Sequence, residues 1–327
     1  LDADGFMKHD PDGAKTDGAG GGHHGERVPC PYDGVTTALA VMAWLASGST
    51  PVSGPYAEPV ARGIGFLRKV VAVRSGGFDS IWNTAFATHA LADAYAVTRD
   101  PALRSPVERG VATLLAGQLA DGGWRYFPGV GGVPSTSCAA VALGAARRAG
   151  VAIPREPVEK LLAFLDARVD PGTGRSEYHA GAERLGYTPT VRNAASALAA
   201  RGMLGALRDT AKLGAQVAAI TKRAPRWKIE FKKLKAPDGT MREFQIGNLD
   251  PYAWYFTALA LSLHGRSKLK GWYGGLQAAL RKGQRKDGSF KGSWDPLGNY
   301  SDSGGRVFVT GMCALMLQAP YRYAPGP

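Results

Sequence analysis

Six short apolar segments recur along this chain at intervals of about fifty residues, and this repeat limits the possible folds more than any other feature. Aligned on one small polar residue, they lie 47, 53, 56, 64 and 53 residues apart. The aligned residues are Thr37, Thr84, Ser137, Asn193, Thr257 and Thr310. Each segment is rich in Ala and Leu, lacks interior proline and has no polar face, which predicts a buried helix.

Segments of a second kind separate the apolar ones. They cover residues 56–73, 103–118, 155–168, 205–222 and 267–282. One example is "EPVEKLLAFLDARV". Its Val158, Leu161 and Leu165 recur at three- and four-residue spacing opposite Glu159 and Lys160, which is the pattern of a helix with one solvent-exposed face. These segments are therefore predicted to be amphipathic outer helices.

Alternating buried and amphipathic helices can stack as an open solenoid or close into a ring. Six pairs fit a closed double ring, so we predict an all-α fold, an α/α toroid of about six helical hairpins over residues 34–327, preceded by a loop-rich segment at 1–33. The first buried helix has no outer helix before it, so we expect that helix upstream of Leu1. An absent native N-terminus leaves the compartment undetermined, with an extracytoplasmic or membrane-associated location among the options.

The widest interval contains the one stretch with a different period, "RWKIEFKKLKAPDGTMREFQIGN". Trp227, Ile229 and Phe231 alternate with charged residues, which is the two-residue period of a strand, and "APDG" is typical of a turn. A small β-hairpin inserted near 226–248 is predicted.

A short motif, called the turn phrase below, occurs twice, as "QLADGGW" at 118–124 and "QRKDGSF" at 284–290. Each copy follows a predicted outer helix, where Gln can bond exposed backbone groups, Gly can form the turn and the ring can pack into the next repeat. This alignment pairs Trp124 with Phe290. A degraded third copy, "VRSGGF", covers 73–78.

The Gln-x-x-x-Gly-x-Trp/Phe phrase together with these repeats resembles the squalene cyclase and protein prenyltransferase superfamily. "DADGFMKHDPDG", "WYFTALAL" and "GSWDPLGNYSDSGGRVFVTGMCALMLQAPYRYA" resemble bacterial proteins with the prenyltransferase and squalene oxidase repeat. The resemblance implies an α/α toroid whose cyclases carry an Asp-x-Asp-Asp acid and whose prenyltransferases hold zinc through Asp, Cys and His.

Neither catalytic set is present. The chain has no Asp-x-Asp-Asp run and no Asp-x-Cys pair, and Cys138, Cys313 and His89 fall on separate predicted inner helices. The Cys-Gly-Glu-Gln run of complement-type thioester domains, which share the toroid, is also absent. We therefore expect no metal and no cofactor, and the missing motifs argue against an enzyme.

Four carboxylates stand just before predicted inner helices: Asp33, Asp79, Asp250 and Asp302. If they gather at one mouth of the ring they could serve as acid and base, as in the α/α barrels of glycosidases and polysaccharide lyases. Ordinary helix N-capping explains the same positions.

Several rings and one histidine also fall on the inner helices: Trp82, His89, Tyr252, Trp254, Tyr255 and Phe308. They are candidates for lining a central cavity, where aromatic faces could stabilise cations. Core packing is the alternative interpretation.

The formal charge of +13 and pI near 9.7 favour acidic partners. The predicted hairpin carries the densest group of cations and interleaved rings: Arg226, Trp227, Lys228, Lys232, Lys233 and Lys235. They suit a polyanion or anionic lipid, although lysines also protect an exposed strand edge. No apolar run approaches the roughly 20 residues needed to span a bilayer.

The sequence thus favours a binding or assembly module that lacks the family's catalytic motifs, with other protein subunits or an anionic surface as partners. The first alternative is an enzyme acting on an isoprenoid-like or other apolar substrate in a central cavity, with the mouth carboxylates as its functional groups. The second is a polyanion-binding module that uses the basic hairpin.

Overall fold

A computed structural model describes most of the chain. It covers residues 32–72, 78–127, 129–185, 188–207, 211–228, 231–235, 241–245, 249–298 and 300–322. The predicted segment at 1–33, apart from its last two residues, and the degraded phrase at 73–78, apart from Phe78, lie outside this part of the chain.

Six inner helices coincide with the six apolar segments. They are α1 (Asp33–Ala46), α3 (Phe78–Thr98), α5 (Val133–Arg148), α7 (Val191–Met203), α9 (Pro251–His264) and α11 (Ser301–Arg322). On α5, every residue from Val133 to Ala146 is buried, because these small apolar side chains let neighbouring helices approach on all sides.

Five outer helices lie between them within the described residues. They are α2 (Ala57–Val70), α4 (Arg104–Ala116), α6 (Arg155–Asp166), α8 (Ala211–Thr221) and α10 (Arg266–Gly283). Short 3-10 turns occur at Pro101–Leu103 and Ala182–Leu185. On α6 the buried residues are Val158, Leu161, Phe164 and Leu165, which confirms the amphipathic pattern.

The inner helices close into a ring. Each packs against the next in chain order, and α11 packs against α1. At this closing contact a side chain on Gly311 would meet Leu39, so only glycine permits the close approach, and Gln318 Nε2 donates to the Ala43 carbonyl at 2.9 Å. The predicted α/α toroid is confirmed.

Two small antiparallel hairpins interrupt the helices. Strands β3 (Phe231–Lys235) and β4 (Met241–Gln245) pair with Phe231 opposite Gln245, which confirms the inserted hairpin. Strands β1 (Trp124–Phe127) and β2 (Val130–Gly132) form a second hairpin that the sequence analysis did not predict.

The repeated turn phrase is real, but one of its predicted pairings is wrong. The bridge between Gln118 and Trp124 has its counterpart between Gln284 and Trp294, so Trp294 and not Phe290 corresponds to Trp124. The second turn contains four additional residues, which the alignment of seven-residue phrases could not reveal.

A further observation concerns membranes. Within the described residues, every helix is too short or too polar to span a bilayer.

Candidate functional site

A small cavity lies at the centre of the ring, between α3, α5 and α9. Its volume is about 10 Å³, which is room for about one water molecule. Its lining residues are Ala85, Phe86, His89, Cys138, Val141, Tyr255 and Phe256. This cavity is too small for a sugar ring or an isoprenoid chain.

His89 belongs to this core and not to an exposed site. It is 2% exposed, and burial, followed by the nearby Arg322 cation, lowers its pKa well below the ordinary value. The imidazole is therefore neutral at neutral pH. Its Nε2 lies 3.6 Å from Asp93 Oδ2, and the same carboxylate pairs with Arg322.

Cys138 and Tyr252 lie close together above the cavity, and both remain protonated. Burial raises the pKa of the Cys138 thiol far above its usual range. Burial also raises the pKa of Tyr252, and its neighbours Cys138 and Tyr300 raise it further. Because neither group ionises readily, neither is suited to act as a nucleophile or a base.

Three aromatic rings lie close together on the side of the ring where the inner helices begin, and we call this side the mouth. The Tyr252 ring lies 6.4 Å from Trp82 and 5.1 Å from Tyr300, between centroids. Tyr252 is buried, whereas Trp82 and Tyr300 are half-buried. Tyr300 has a positive φ of 65°, a strained backbone for a bulky residue and one that often occurs at functional sites.

Asp250 and Arg192 form an ion pair at the mouth. Asp250 Oδ1 accepts from the Ala253 backbone N–H at 3.0 Å and so caps α9, as the N-capping alternative predicts. Its Oδ2 accepts from Arg192 Nε at 2.7 Å. The Arg192 guanidinium also lies over the Tyr300 ring, 5.7 Å from its centroid.

This ion pair keeps the arginine charged. Burial alone would lower the pKa of Arg192, but the Asp250 carboxylate outweighs that effect and raises it. Both carboxylate oxygens of Asp250 accept hydrogen bonds, so this aspartate is better suited to hold Arg192 than to transfer a proton.

The other three mouth carboxylates belong to consecutive helices of the ring. Asp302, Asp33 and Asp79 lie in the first turns of α11, α1 and α3, and α1 packs against both of its neighbours. Asp33 is 8% exposed. The side chains of Asp79 and Asp302 lie outside the described residues. We call these three positions the acidic arc.

The remaining sequence candidates do not join the mouth cluster described above. Tyr255 and Phe308 are buried in the core, and Tyr255 lines the small cavity. Trp254 packs on Trp227, with centroids 6.1 Å apart. Trp227 in turn packs so tightly on Gly283 of α10 that a side chain there would overlap its indole, so it anchors the segment before the hairpin.

The basic hairpin is described only in part. Arg226, Lys228 and Lys233 are exposed, whereas the side chains of Lys232 and Lys235 lie outside the described residues. The described positions agree with a solvated strand edge.

Sequence reasoning missed Arg192 and Tyr300. A signal existed for the arginine, because "TVRNAASALAA" has a cation inside an otherwise apolar inner segment. Tyr300 had no comparable signal, because its left-handed conformation depends on how the loop returns to α11.

No protein family model matches this sequence, and no curated protein matches it. Solved structures do match. An inactive variant of an α-1,6-mannanase from Salegentibacter sp., in complex with α-1,6-mannotriose, has a TM-score of 0.61 at 13% identity and covers 98% of this chain and 95% of that one. The unsaturated glucuronyl hydrolase of Bacillus sp. GL1 has a TM-score of 0.63 at 15% identity and covers 99% and 94%.

A family 76 glycoside hydrolase from a bovine Bacteroides thetaiotaomicron strain matches with a TM-score of 0.55 at 12% identity, covering 90% of this chain and 68% of that chain. At these identities the likeness establishes the fold alone. The fold is that of α/α toroid glycoside hydrolases.

These matches correct the predicted resemblance to squalene cyclases and prenyltransferases. The turn phrase that suggested it satisfies backbone groups at the end of an outer helix, and this packing requirement is common to toroids of different chemistry. The functional predictions built on it are corrected too: a non-catalytic binding or assembly module, an isoprenoid-like substrate, a polyanion module and the argument against an enzyme. The matched structures are carbohydrate-active enzymes.

Proposed function

We propose that this protein is a carbohydrate-active enzyme that hydrolyses a glycosidic bond in an oligosaccharide bound across the mouth. The observation that carries the proposal is the group of aromatic, acidic and cationic residues at the mouth. The fold shared with an α-1,6-mannanase and a glucuronyl hydrolase supports the same class of chemistry.

The acidic arc supplies the candidate acid and base. Glycoside hydrolysis needs two carboxyl groups, separated by roughly 6.5–9.5 Å in inverting enzymes. Packed helices lie about 8–10 Å apart, so first-turn positions on neighbouring helices start from a comparable spacing. Asp33, with Asp79 and Asp302 on the helices to either side, therefore provides two candidate pairs.

The aromatic rings at the mouth, those of Trp82, Tyr252 and Tyr300, favour carbohydrate as the ligand. Sugar rings have apolar faces and hydroxyl edges, and binding sites for such molecules combine aromatic surfaces with a few fixed polar groups. Trp82 and Tyr300 are half-buried and so offer ring surface at the mouth, and the Asp250–Arg192 pair adds fixed polar atoms beside Tyr300.

The test is hydrolysis of defined oligosaccharides, with products separated by chromatography and identified by mass. The panel contains α-1,6-mannotriose, α-1,6-mannotetraose and unsaturated glucuronyl disaccharides, and the proteins are the wild type, Asp33→Asn, Asp79→Asn and Asp302→Asn. We expect at least one substrate to be cleaved. Loss of a general acid or base lowers the rate by about 10²–10⁴-fold, so at least two of the variants should lose activity while still binding that substrate.

Asp287→Asn is the control, because Asp287 is exposed in the turn after α10, and it should cleave at the wild-type rate. Calorimetric titration distinguishes failed chemistry from failed binding. Absence of both cleavage and binding across the panel would overturn the proposal, as would wild-type activity in all three acidic-arc variants.

A further inference from the structure

Arg192 has a donor edge that the protein does not use. Its Nε donates to Asp250, and its guanidinium carbon lies over the Tyr300 ring, 5.7 Å from the centroid. Within the described part of the chain, Nη1 and Nη2 donate to no protein acceptor. The side chain is 29% exposed, so water or a ligand at the mouth can reach this edge.

The edge is held in one orientation before any ligand arrives. Asp250 is itself fixed as the cap of α9, and the ring of Tyr300 supports the guanidinium from the side. A planar guanidinium with two free N–H groups on one edge matches the two oxygens of a carboxylate. Because its orientation is already fixed, little conformational entropy is lost when a ligand binds.

The position of Arg192 in the ring separates it from the acidic arc. Helix α7 is three places from α1 in a ring of six, so Arg192 and Asp33 begin helices on opposite sides of the mouth. A negatively charged ligand would be repelled by the acidic arc and attracted to the α7 side. The formal charge of +13 also favours anionic ligands.

We propose that Arg192 recognises the carboxylate of a uronic acid, so that the substrate of this enzyme is an acidic oligosaccharide whose charged sugar lies on the α7 side of the mouth. This inference rests on the proposed function and specifies its substrate class. Asp250 acts as a positioning residue that holds Arg192, and it is not the acid or base of the reaction.

The test compares pairs of oligosaccharides of equal length and linkage that differ only in the carboxylate, such as trigalacturonate and its carboxyl-reduced, neutral form. Calorimetric titration of the wild type should give at least tenfold tighter binding of the acidic member. Arg192→Met keeps much of the side-chain length but removes the charged edge, and it should abolish that preference. Arg192→Lys should retain part of it, because the charge remains without the planar fork.

Arg201→Met is the matched control. Arg201 lies at the other end of α7 and also forms a 2.7 Å ion pair, with Asp166, so its loss reproduces the removal of a paired arginine from the same helix. It should keep the preference for the acidic ligand. Thermal unfolding verifies that all variants are folded at the titration temperature.

The role of Asp250 is tested by Asp250→Asn, which should weaken binding of the acidic ligand less than Arg192→Met does and should leave the pH dependence of hydrolysis unchanged. A changed pH profile would assign Asp250 to the chemistry and contradict its positioning role.

The outcomes separate the two proposals. Equal binding of acidic and neutral members, or a preference that survives Arg192→Met, would overturn the role of Arg192 while leaving the proposed function intact. If a sulfated analogue bound more tightly than the uronate, the carboxylate would not be the group that Arg192 recognises. If the wild type binds no member of any pair and cleaves nothing, both proposals fail.

Discussion

The turns at 118–124 and 284–294 both join an outer helix to the next inner helix, and they use the same hydrogen bonds over different chain lengths. The two Trp Nε1 groups donate to Leu114 and Leu280, four residues before the respective Gln, at 2.7 and 2.8 Å. The two Trp backbone N–H groups donate to Thr136 and Thr310 of the following inner helices.

The glycine pairing follows the tryptophan pairing. Gln118 Nε2 donates to the Gly122 carbonyl and Gln284 Nε2 to the Gly292 carbonyl. Gly122 and Gly292 have φ values of 88° and 87°, a left-handed conformation that favours glycine. The two turns therefore share the contacts of their Gln, Gly and Trp residues, whereas the number of residues between Gln and Gly differs.

Within the described residues, the longer turn has a polar cluster that the shorter turn lacks. Asp295 Oδ1 accepts from Arg285 and Arg306, and the Arg306 guanidinium lies 4.0 Å from the Phe290 ring centroid. Counting back four residues from the paired threonines, the counterpart of Arg306 is Gly132. In both turns one tryptophan ring anchors the chain. The four additional residues of the longer turn are accompanied by a separate cluster of ion pairs.

The largest expected effect comes from the two tryptophans. Trp124→Ala and Trp294→Ala should each lower the free energy of unfolding by about 3–5 kcal/mol, because each removes a buried indole and leaves a cavity. Phe290→Ala should cost less than about 2 kcal/mol, since it loses partial burial and a cation–π contact. Denaturant unfolding measures all three; an equal loss for Phe290 and Trp294 would restore the pairing suggested by the sequence.

Removing Arg306 should have the next largest effect. Arg306→Met deletes a charge-assisted hydrogen bond to Asp295 and a hydrogen bond to the Ser293 hydroxyl, from a side chain that is only 6% exposed. We expect a loss on the order of 2 kcal/mol in unfolding free energy. Arg104→Met, which breaks an exposed pair with Glu108, is the control and should change stability by at most about 1 kcal/mol. Similar losses in both variants would contradict a special role for the cluster.

Asp295 should make the longer turn sensitive to acid. Burial would raise its pKa, but hydrogen bonds from Arg285 and Arg306 outweigh burial and lower it. A lowered pKa stabilises the fold above the unfolded-state value of about 3.9 and loses that contribution as pH falls through the folded-state value. The stability difference between wild type and Asp295→Asn should therefore be largest near neutrality and shrink below about pH 4. A pH-independent difference would reject this linkage.

The smallest effect concerns the two glutamines. Gln118 Nε2 donates to the carbonyls of Gly122 and of Pro157 on the next outer helix, whereas Gln284 Nε2 has one bond, to Gly292. Because a net hydrogen bond contributes about 1 kcal/mol, Gln118→Ala should cost roughly 1 kcal/mol more than Gln284→Ala. Parallel denaturant titrations of the two variants measure this difference, and its absence would imply that the bond to Pro157 contributes nothing.

Much of the fold could be predicted from local patterns. The apolar repeats identified all six inner helices. The inserted hairpin was predicted near 226–248, although its first strand begins at Phe231, after most of the alternating residues at 227–231. The mouth was predicted only in outline, since Asp250 was singled out but its pairing with Arg192 was not. That contact joins residues 58 positions apart, and no local pattern encodes which side chains meet over such a distance.

By itself, the sequence determined where helices begin and end and which faces are buried, because these depend on side chains within a few residues of one another. Tertiary structure alone decided that Trp294 takes the place expected for Phe290 and that Arg192 is held by Asp250 with one edge free. Each of these depends on how closely distant segments pack once the ring has closed.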